Sequence, residues 1–347
     1  MNYRVINIHS KSEREEIIKF LQTLNLKYEN NIEYTLAILE EGKIVGTGSI
    51  SGKVLKCIAV DVQKQGEGIA AKIISRLVQE QFKKGRTKNF LFTSPDKVDQ
   101  FIGLGFKLLA LAEPSYALLE MGIDGINQYL QDLQKHRLIK NNQKIISTMV
   151  INANPFTLGH QYLVETASKE SDVVYLFVVR EDKSLFPFET RFSLIKQGCK
   201  EFDNVRVIDG GDYIISNATF PTYFSRESEN DIVSGQATLD ARIFIHYIVP
   251  TLKINRRYLG NEPYCGTTNI YNQVLKKILP SAGVEIKEIS RFEIEGKAVS
   301  ASSVRDLIKK SKFTEIKKLV PSSTYSFLIS EEAGLIVKKI IASDSRH

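Results

Sequence analysis

Short apolar runs alternate with helix-period patterns along the second half of this chain. The apolar runs, mostly rich in β-branched residues, predict buried strands at 145–152, 173–179, 205–208, 257–259 and 284–289. Between them, apolar residues recur at helical spacing over 161–169, 189–202 and 269–279. This alternation predicts an α/β domain, with a doubly wound parallel sheet covered by helices on both faces. Ligands of such sheets bind beyond the carboxyl ends of the strands.

The first half of the chain predicts a mixed α+β domain. Ser12 and Glu15 predict a capping box at the start of its first helix. The runs 34–39 and 44–50 flank Glu41-Gly42, which predicts a β-hairpin. The other predicted elements are strands at 57–62 and 90–93 and a helix at 70–84, and the segments 98–101 and 103–106 close the pattern.

The pattern breaks near the middle of the chain. The segment 122–125, which begins and ends with glycine, is followed by a polar helical stretch at 127–140 and turn residues at 141–143. We therefore predict a first domain at 1–125, a linker at 126–143 and a second domain at 144–347.

Composition fits a cytoplasmic enzyme. The 347 residues, 43% of them hydrophobic, can fill two cores. Cys57, Cys199 and Cys265 lie far apart, which argues against a disulfide framework and against a structural zinc site. The N-terminus lacks the apolar segment of a signal peptide, and no apolar run approaches the roughly 18 residues of a membrane span. We expect no membrane partner.

The charge balance leaves the partner open on its own. The chain carries 47 basic and 40 acidic residues, a net charge of +7. Nucleic acid is one interpretation, and an acidic protein or polyanionic small ligands are another. Because the lysines are scattered over helix faces, we expect no nucleic acid.

The run from Ile151 to His160 carries the strongest chemical signal. It joins a predicted buried strand to a predicted helix, so backbone N–H groups point at whatever lies above the turn. Gly159 allows close approach to a ligand, and His160 in the first helical turn can hold a phosphate oxygen. Taken alone, His160 is more simply read as a core histidine, because Leu163 and Val164 continue its face.

A second segment, 299–305, provides a matching pattern near the C-terminus. Ser302 is a predicted N-cap, and Arg305 follows in the first helical turn, ahead of an amphipathic run at 306–320. A hydroxyl, a guanidinium and a helix N-terminus together can bind an anion.

The first half contains a third possible anion site, in the loop 63–70. Gln63, Gly66 and Gly68 precede a helix, so the N–H groups of its first turn can bind a pyrophosphate. Glycines in such loops also serve tight turns alone.

The two C-terminal segments resemble the signatures of the HxGH nucleotidylyltransferase superfamily. Thr157-Leu158-Gly159-His160 is similar to its (T/H)-x-G-H sequence, and Ser300 to Arg305 is similar to its S-x-T-x-V-R sequence. Thr157 and Ser302 depart from the commoner residues, and both keep a hydroxyl. The resemblance implies a Rossmann-like fold and catalytic roles for Thr157, His160 and Arg305. The ATP-binding residues that we expect are Asn154, Phe156, Thr157, Gly159, His160, Gly260, Glu262, Ser302 and Arg305.

The first half resembles a GNAT-type acetyltransferase domain, whose Q/R-x-x-G-x-G/A loop binds the pyrophosphate of coenzyme A. Gln63, Gly66, Gly68 and the ending Leu104-Gly105-Phe106 carry this resemblance. Many such enzymes place a proton-donating tyrosine where this chain has Phe101, which cannot donate. We therefore expect this GNAT-like domain to bind a CoA-like group without the usual acetyl-transfer acid.

The order of these two domains resembles the citrate lyase ligase family. Three further segments agree, at 186–192, 220–224 and 258–264. The family resemblance implies an acid–thiol ligase that consumes ATP and acetate, with Mg²⁺ on the ATP phosphates and no metal held by the protein. Its product is the acetylated thiol of the phosphoribosyl-dephospho-CoA group on the citrate lyase acyl carrier subunit.

Two alternatives remain open from the sequence. One is a nucleotidylyltransferase that joins AMP to a cofactor precursor. The other concerns the N-terminal half, which is either a binding module for a CoA-like arm or a working acetyltransferase.

Overall fold

The computed structural model describes residues 2–29, 31–138, 144–181, 184–224, 229–262 and 265–343. The chain divides into two compact units, Met1–Gln128 and Tyr129–His347. Their boundary lies inside the predicted linker 126–143, whose last residues, including the predicted turn at 141–143, are outside the described residues. Within the described part of the chain, no helix is long and apolar enough to cross a membrane.

The first unit is built on a seven-stranded mixed sheet with strand order β1-β2-β3-β4-β5-β7-β6. Its strands are β1 Asn2–Ile6, β2 Tyr34–Glu40, β3 Lys43–Ser51, β4 Val54–Val60, β5 Lys88–Thr93, β6 Lys107–Ala112 and β7 Tyr116–Gly122. Its helices are α1 Lys11–Gln22, α2 Ile69–Lys83 and α3 Val98–Ile102. The predicted α+β class is confirmed.

The hairpin β2–β3 forms as predicted, because Glu41 and Gly42 adopt positive φ angles of 50° and 78°. Next to it, β4 and β5 are parallel and pair only at Val54↔Phe90 and Leu55↔Leu91. Helix α2 packs closely on β3, where a Cβ on Gly48 would lie 2.4 Å from Ile73 Cγ2.

The prediction that Ser12 caps the first helix is wrong. Helix α1 is capped by Ser10, whose hydroxyl accepts from the Glu13 backbone N–H. Both serines are followed three residues later by a glutamate, so the local pattern cannot choose between them. The Glu13 carboxylate favours capping by Ser10, because it also accepts from the Asn7 N–H at 3.0 Å.

Helix α4, Ile126–Lys135, begins in the first unit and continues into the second. Its first turn is capped by the buried Glu120, whose two oxygens accept from the Ile126 N–H at 3.0 and 3.2 Å. Gly125 packs against this cap, and a Cβ there would lie 2.7 Å from a Glu120 oxygen, so a larger residue would displace the carboxylate.

The second unit contains a five-stranded parallel sheet with strand order β10-β9-β8-β11-β12. Its strands are β8 Ile146–Ile151, β9 Val173–Val178, β10 Val205–Asp209, β11 Arg256–Gly260 and β12 Glu285–Ile289, with a small hairpin of β13 Glu293–Ile294 and β14 Lys297–Ala298. Its helices are α5 Leu158–Lys169, α6 Phe188–Gly198, α7 Asn230–Ile243, α8 Val249–Leu252, α9 Gly266–Ile278, α10 Ala301–Lys309, α11 Phe313–Ile316, α12 Ser322–Leu328 and α13 Gly334–Ala342.

The predicted doubly wound sheet is confirmed. Alternate residues of each strand enter two separate apolar cores, one on each face of the sheet. Helices α7 and α9 cover one face, and α5 and α6 cover the other. The central strand β8 lies between β9 and β11, so the chain order of the strands reverses there, where such folds bind their ligands.

The amphipathic run predicted over 306–320 is interrupted. It forms the end of α10 and the short α11, separated by Ser311 with φ 55°. A non-glycine residue in the left-handed region cannot continue an α-helix, so the apolar face changes direction at this point.

Candidate active site

The loop 152–157 connects the central strand β8 to helix α5 at the carboxyl edge of the parallel sheet. Thr157 is the N-cap of α5, with an extended backbone at φ −122° and ψ 168°. In the first turn of α5, the Leu158 N–H donates to the Leu319 carbonyl at 2.9 Å and the His160 N–H donates to Thr157 Oγ1. The Gly159 N–H is therefore the one that an anion could bind, and the anion site stays a prediction.

His160 and Thr157 cap the helix reciprocally. The Thr157 N–H donates to His160 Nδ1 at 3.1 Å, and the Thr157 hydroxyl lies 2.8 Å from the same nitrogen. In return, the His160 N–H donates to Thr157 Oγ1 at 3.4 Å. A histidine thus takes the place that glutamate or glutamine takes in the usual capping box.

This arrangement fixes the protonation of His160. Burial, followed by the positive charge of Arg291, lowers the pKa of His160 to about 4, so the ring is neutral near neutral pH. Because Nδ1 accepts a hydrogen bond, the single ring proton is assigned to Nε2. The described residues offer no hydrogen-bond partner to Nε2, which leaves it as a donor for a ligand.

We predict that Thr157→Val lowers the free energy of unfolding by about 1 kcal/mol, the usual value for a lost N-cap. The valine fills the same buried space but removes the hydroxyl that accepts from the His160 N–H. Urea denaturation followed by circular dichroism measures the change. Thr157→Ser keeps the hydroxyl and should match the wild type; a valine variant of unchanged stability would contradict the capping role.

The two C-terminal sequence segments are in direct contact. A Cβ on Gly159 would lie 2.7 Å from the carbonyl oxygen of Val299, the residue that precedes the cap of α10. The sequence explained Gly159 by close approach of a ligand, and the structure adds a packing requirement. Any larger residue at 159 would push the two helix N-termini apart.

The prediction that Ser302 caps α10 is wrong, because the N-cap is Ser300. Its hydroxyl accepts from the Ser303 N–H at 3.1 Å. Ser302 lies within the first turn and accepts from Arg305 Nη2 at 3.3 Å. Ser300 is the cap because its backbone is extended, at φ −136° and ψ 156°. The run of serines in the sequence does not predict which of them has this conformation.

Arg305 joins α10 to the first loop. Its side chain is buried, with 6% of its surface exposed, and Nη1 donates to the Asn154 carbonyl at 2.5 Å. Burial lowers the pKa of Arg305, which nevertheless remains charged near neutral pH. The guanidinium therefore contributes to the shape of the loop as well as to its positive potential.

The side-chain oxygen of Asn154 accepts a hydrogen bond, whereas its side-chain nitrogen has no partner among the described residues. Its Oδ1 accepts from the Phe186 N–H at 3.0 Å. Its Nδ2, in a side chain only 4% exposed, has no hydrogen-bond partner among the described residues. A buried amide donor without a partner is costly, so Asn154 is suited to receive an acceptor from a bound ligand.

Phe156, an expected ATP-binding residue, has a buried side chain. Its ring is fully buried, stacks on His160 at a centroid distance of 5.8 Å, and lies so close to Gly198 that a Cβ there would approach it to 2.4 Å. The side chain supports the imidazole and is inaccessible to a nucleotide.

Gly260 is the last residue of β11, the neighbour of β8, and Glu262 follows this strand at the same carboxyl edge. The Gly260 carbonyl accepts from Asn272 Nδ2 at 3.2 Å. Glu262 accepts from the Cys265 N–H at 3.1 Å and forms an ion pair with Arg291 at 2.7 Å. Pro263 and Tyr264, the last two residues of the segment 258–264, lie outside the described residues.

Sequence reasoning did not identify Arg191 as a functional residue. Its fully buried guanidinium donates at 2.8–3.0 Å to the backbone carbonyls of Asn152, Val179, Glu181 and Phe186. Arg191 thereby holds the loops after β8 and β9 together. Its only sequence signal is that an arginine lies inside the apolar segment 186–192. That pattern is as typical of an exposed charge on a helix as of a buried arginine.

The predicted CoA-type loop belongs to the other unit. Gln63 is exposed in a short 3₁₀ turn, and Gly66 and Gly68 adopt positive φ angles of 87° and 74°. Gly68 is the N-cap of the 15-residue helix α2 and provides no side-chain cap. The N–H groups of this helix N-terminus can donate to a phosphate, and binding of a CoA-type pyrophosphate by this loop stays a prediction.

No group of three or more His, Cys, Asp and Glu side chains is arranged to hold a metal ion within the part of the chain that the structure describes.

Comparison with known proteins gives similarity over nearly the whole chain. The profile of the citrate lyase ligase C-terminal domain matches residues 146–328. The citrate (pro-3S)-lyase ligase of Klebsiella pneumoniae is 38% identical over 330 residues, which cover 94% of this chain and 95% of that protein. The corresponding ligase of Escherichia coli is 33% identical over 318 residues, covering 90% and 89%.

Among solved structures, an IAA acetyltransferase from Bacillus cereus is 16% identical and covers 35% of this chain and 100% of its own, with a TM-score of 0.29. A GNAT-family acetyltransferase from Staphylococcus aureus is 17% identical, covers 35% and 99%, and has a TM-score of 0.29.

Proposed function

The chain belongs to the citrate lyase ligase family, and from this premise we propose that it activates acetate with ATP and acetylates the citrate lyase acyl carrier subunit. The acceptor is the thiol of a phosphoribosyl-dephospho-CoA group, and AMP and pyrophosphate are released. The observation that best supports this reaction is the meeting of two helix N-termini, with His160 and Arg305, at the Gly159–Val299 contact. We also propose a cytoplasmic location, where ATP is available.

The first step activates the carboxylate. An acetate oxygen attacks the α-phosphorus of ATP, the bond to pyrophosphate breaks, and acetyl-adenylate forms. This step needs no protein nucleophile; it needs alignment and stabilisation of the negative charge that spreads over the phosphate oxygens. The side-chain donors that we assign to this step are the Nε2–H of His160 and the Arg305 guanidinium. The backbone donors are the N–H groups of Gly159 in α5 and of Ala301 and Ser302 in α10.

In the second step the thiol, deprotonated as it attacks, bonds to the acetyl carbon, and AMP leaves with the electron pair of the anhydride bond. The roles of Asn154, Thr157, Gly159 and Ser302 are to shape the nucleotide site, and the unpartnered Nδ2 of Asn154 supports this assignment.

Mg²⁺ is expected to be carried by the ATP phosphate oxygens, which suit its preference for oxygen ligands and retained water. There it supplies positive charge toward the pyrophosphate leaving group.

A direct test uses the purified protein with ATP, Mg²⁺ and a series of carboxylates, with pyrophosphate release as the readout. We expect release to depend on acetate. Release that depends instead on a phosphorylated cofactor precursor would support AMP transfer to that precursor and overturn this proposal.

For the first unit, we propose that the loop with Gln63, Gly66 and Gly68 binds the pyrophosphate of the CoA-like arm. Phe101 packs against Phe106 with ring centroids 5.9 Å apart and has no proton to donate to a leaving thiol. Binding without acetyltransferase chemistry is therefore the role that these residues support.

We predict that the Gly66→Ala, Gly68→Ala double variant slows carrier acetylation about tenfold, the effect of losing hydrogen bonds to a charged group. No atom lies within 4 Å of either added Cβ, so the substitutions block approach of a ligand while straining only the loop. Acetate-dependent exchange of pyrophosphate into ATP should continue at the wild-type rate.

The control for these variants is Gly85→Ala, a glycine with φ 70° and equally open surroundings just after the other end of α2. It should leave both reactions unchanged. Normal carrier acetylation by the double variant would mean that the loop is only a turn, and acetylation from acetyl-CoA without ATP would instead support an acetyltransferase.

A further inference from the structure

Two arginine–glutamate ion pairs link β11 with β12, one at each end of these parallel strands. At the amino ends, Arg256 Nε bonds Glu285 at 2.8 Å. At the carboxyl ends, Arg291 Nη2 bonds Glu262 at 2.7 Å, and Arg291 Nε donates to the Asn261 carbonyl at 3.1 Å. The second pair lies at the sheet edge that carries the candidate active site.

The segment that contains Arg291 is fixed against helix α5. Phe292 packs on Tyr162 with ring centroids 5.2 Å apart, and the Phe292 carbonyl accepts from the Val299 N–H at 2.9 Å. Val299 in turn contacts Gly159. Residues on both sides of His160 along α5 are therefore in contact with the segment 292–299, which begins directly after Arg291.

The charge of Arg291 acts on the imidazole. It is the second cause, after burial, of the lowered pKa of His160. The Arg291 side chain keeps 22% of its surface exposed, so a ligand can reach it. An anion held by the Nε2–H of His160 is therefore attracted by the nearby guanidinium as well.

We propose that Arg291 is a further phosphate-binding residue of the site at His160, and that Glu262 is a positioning residue that acts on ATP only through Arg291. This proposal rests on the proposed function for the identity of the ligand. It changes the role expected of Glu262, since a carboxylate facing a triphosphate would repel it, whereas one that holds a guanidinium in place favours binding.

The first test measures binding of MgATP by calorimetry and acetate-dependent pyrophosphate release. Arg291→Gln should weaken ATP binding and lower kcat/KM for ATP by about tenfold to a hundredfold, as expected when a charged hydrogen bond is lost. Arg291→Lys should recover part of this loss. Glu262→Gln should cause a smaller loss that appears in KM for ATP.

A double-mutant cycle tests the dependence of Glu262 on Arg291. If Glu262 acts through Arg291, adding Glu262→Gln to Arg291→Gln should change ATP binding no further. Additive losses would mean that Glu262 meets ATP independently, which would overturn the positioning role. The matched controls, Arg256→Gln and Glu285→Gln, remove the pair at the other end of the same strands and should bind ATP as the wild type does.

A third measurement does not depend on activity. In the ligand-free protein, the titration of His160 followed by NMR should move to higher pH in Arg291→Gln, because the charge of Arg291 lowers the pKa of His160. It should stay in place in Arg256→Gln, because Arg256 lies at the other end of the strands. The His160→Asn variant identifies the signal among the five histidines.

The proposed reaction and the proposed role of Arg291 are contradicted by different results. If the wild type binds ATP but releases no pyrophosphate with acetate, the proposed reaction is wrong, while the Arg291 effect on ATP binding still supports the inference. If Arg291→Gln binds ATP and turns over normally, the inference is wrong whatever the reaction.

Discussion

Replacing His160 with alanine should reduce acetate-dependent pyrophosphate release by about two orders of magnitude, the usual loss when one donor to a developing charge is removed. The neutral ring presents Nε2–H because Nδ1 is occupied by the Thr157 N–H and hydroxyl. The donor is therefore already oriented before ATP binds. Steady-state turnover at saturating ATP and acetate measures the loss.

A second variant separates chemistry from helix capping. His160→Asn offers an amide oxygen near the position of Nδ1, so it can still accept from the Thr157 N–H, but it has no donor at the position of Nε2. We expect the asparagine variant to be as inactive as the alanine variant. Its melting temperature should lie closer to that of the wild type than the melting temperature of the alanine variant does. If the asparagine variant turned over normally, His160 would be a structural residue, the simpler interpretation that its sequence neighbours favour.

Replacing Arg305 with lysine should lower turnover about tenfold to a hundredfold with ATP saturating. The guanidinium donates to the Asn154 carbonyl and to Ser302 Oγ, and an ammonium cannot make both hydrogen bonds while facing a phosphate. Kinetics at saturating ATP, with circular dichroism to monitor folding, measure the effect.

Two comparisons make this result interpretable. Ser302→Ala removes only the weaker contact, at 3.3 Å, and should reduce turnover much less than the lysine variant. If Arg305→Lys raises only KM for ATP, then Arg305 binds the ground state, and the role in charge stabilisation that we assign to it is wrong.

Several features of this protein follow from local sequence. The five parallel strands are predicted by short, mostly β-branched runs separated by helical patterns, because strands covered on both faces are mostly apolar. The position of His160 in a first helical turn follows from the strand–turn–helix order around it. The Glu41-Gly42 hairpin follows because its two positive φ angles restrict the residues that can form the turn.

Local sequence did not distinguish between similar neighbours. Ser10 and Ser12 both precede a glutamate by three residues, and Ser300 and Ser302 both precede α10 residues that need a cap. The free-energy difference between adjacent caps is small, so contacts from outside the helix, such as the Asn7 N–H to Glu13, select one of them.

Only the tertiary structure decided which distant residues contact one another around the candidate site. Arg305 reaches the Asn154 carbonyl across 151 positions, Val299 fixes the need for glycine at 159, and Arg191 holds loops that follow two different strands. Such contacts have no period in the sequence, because they depend on the order of the strands in the sheet and on which carboxyl ends become neighbours. The same reason explains why the chain's pattern does not predict that Arg291 and Glu262, which are 29 residues apart, form an ion pair.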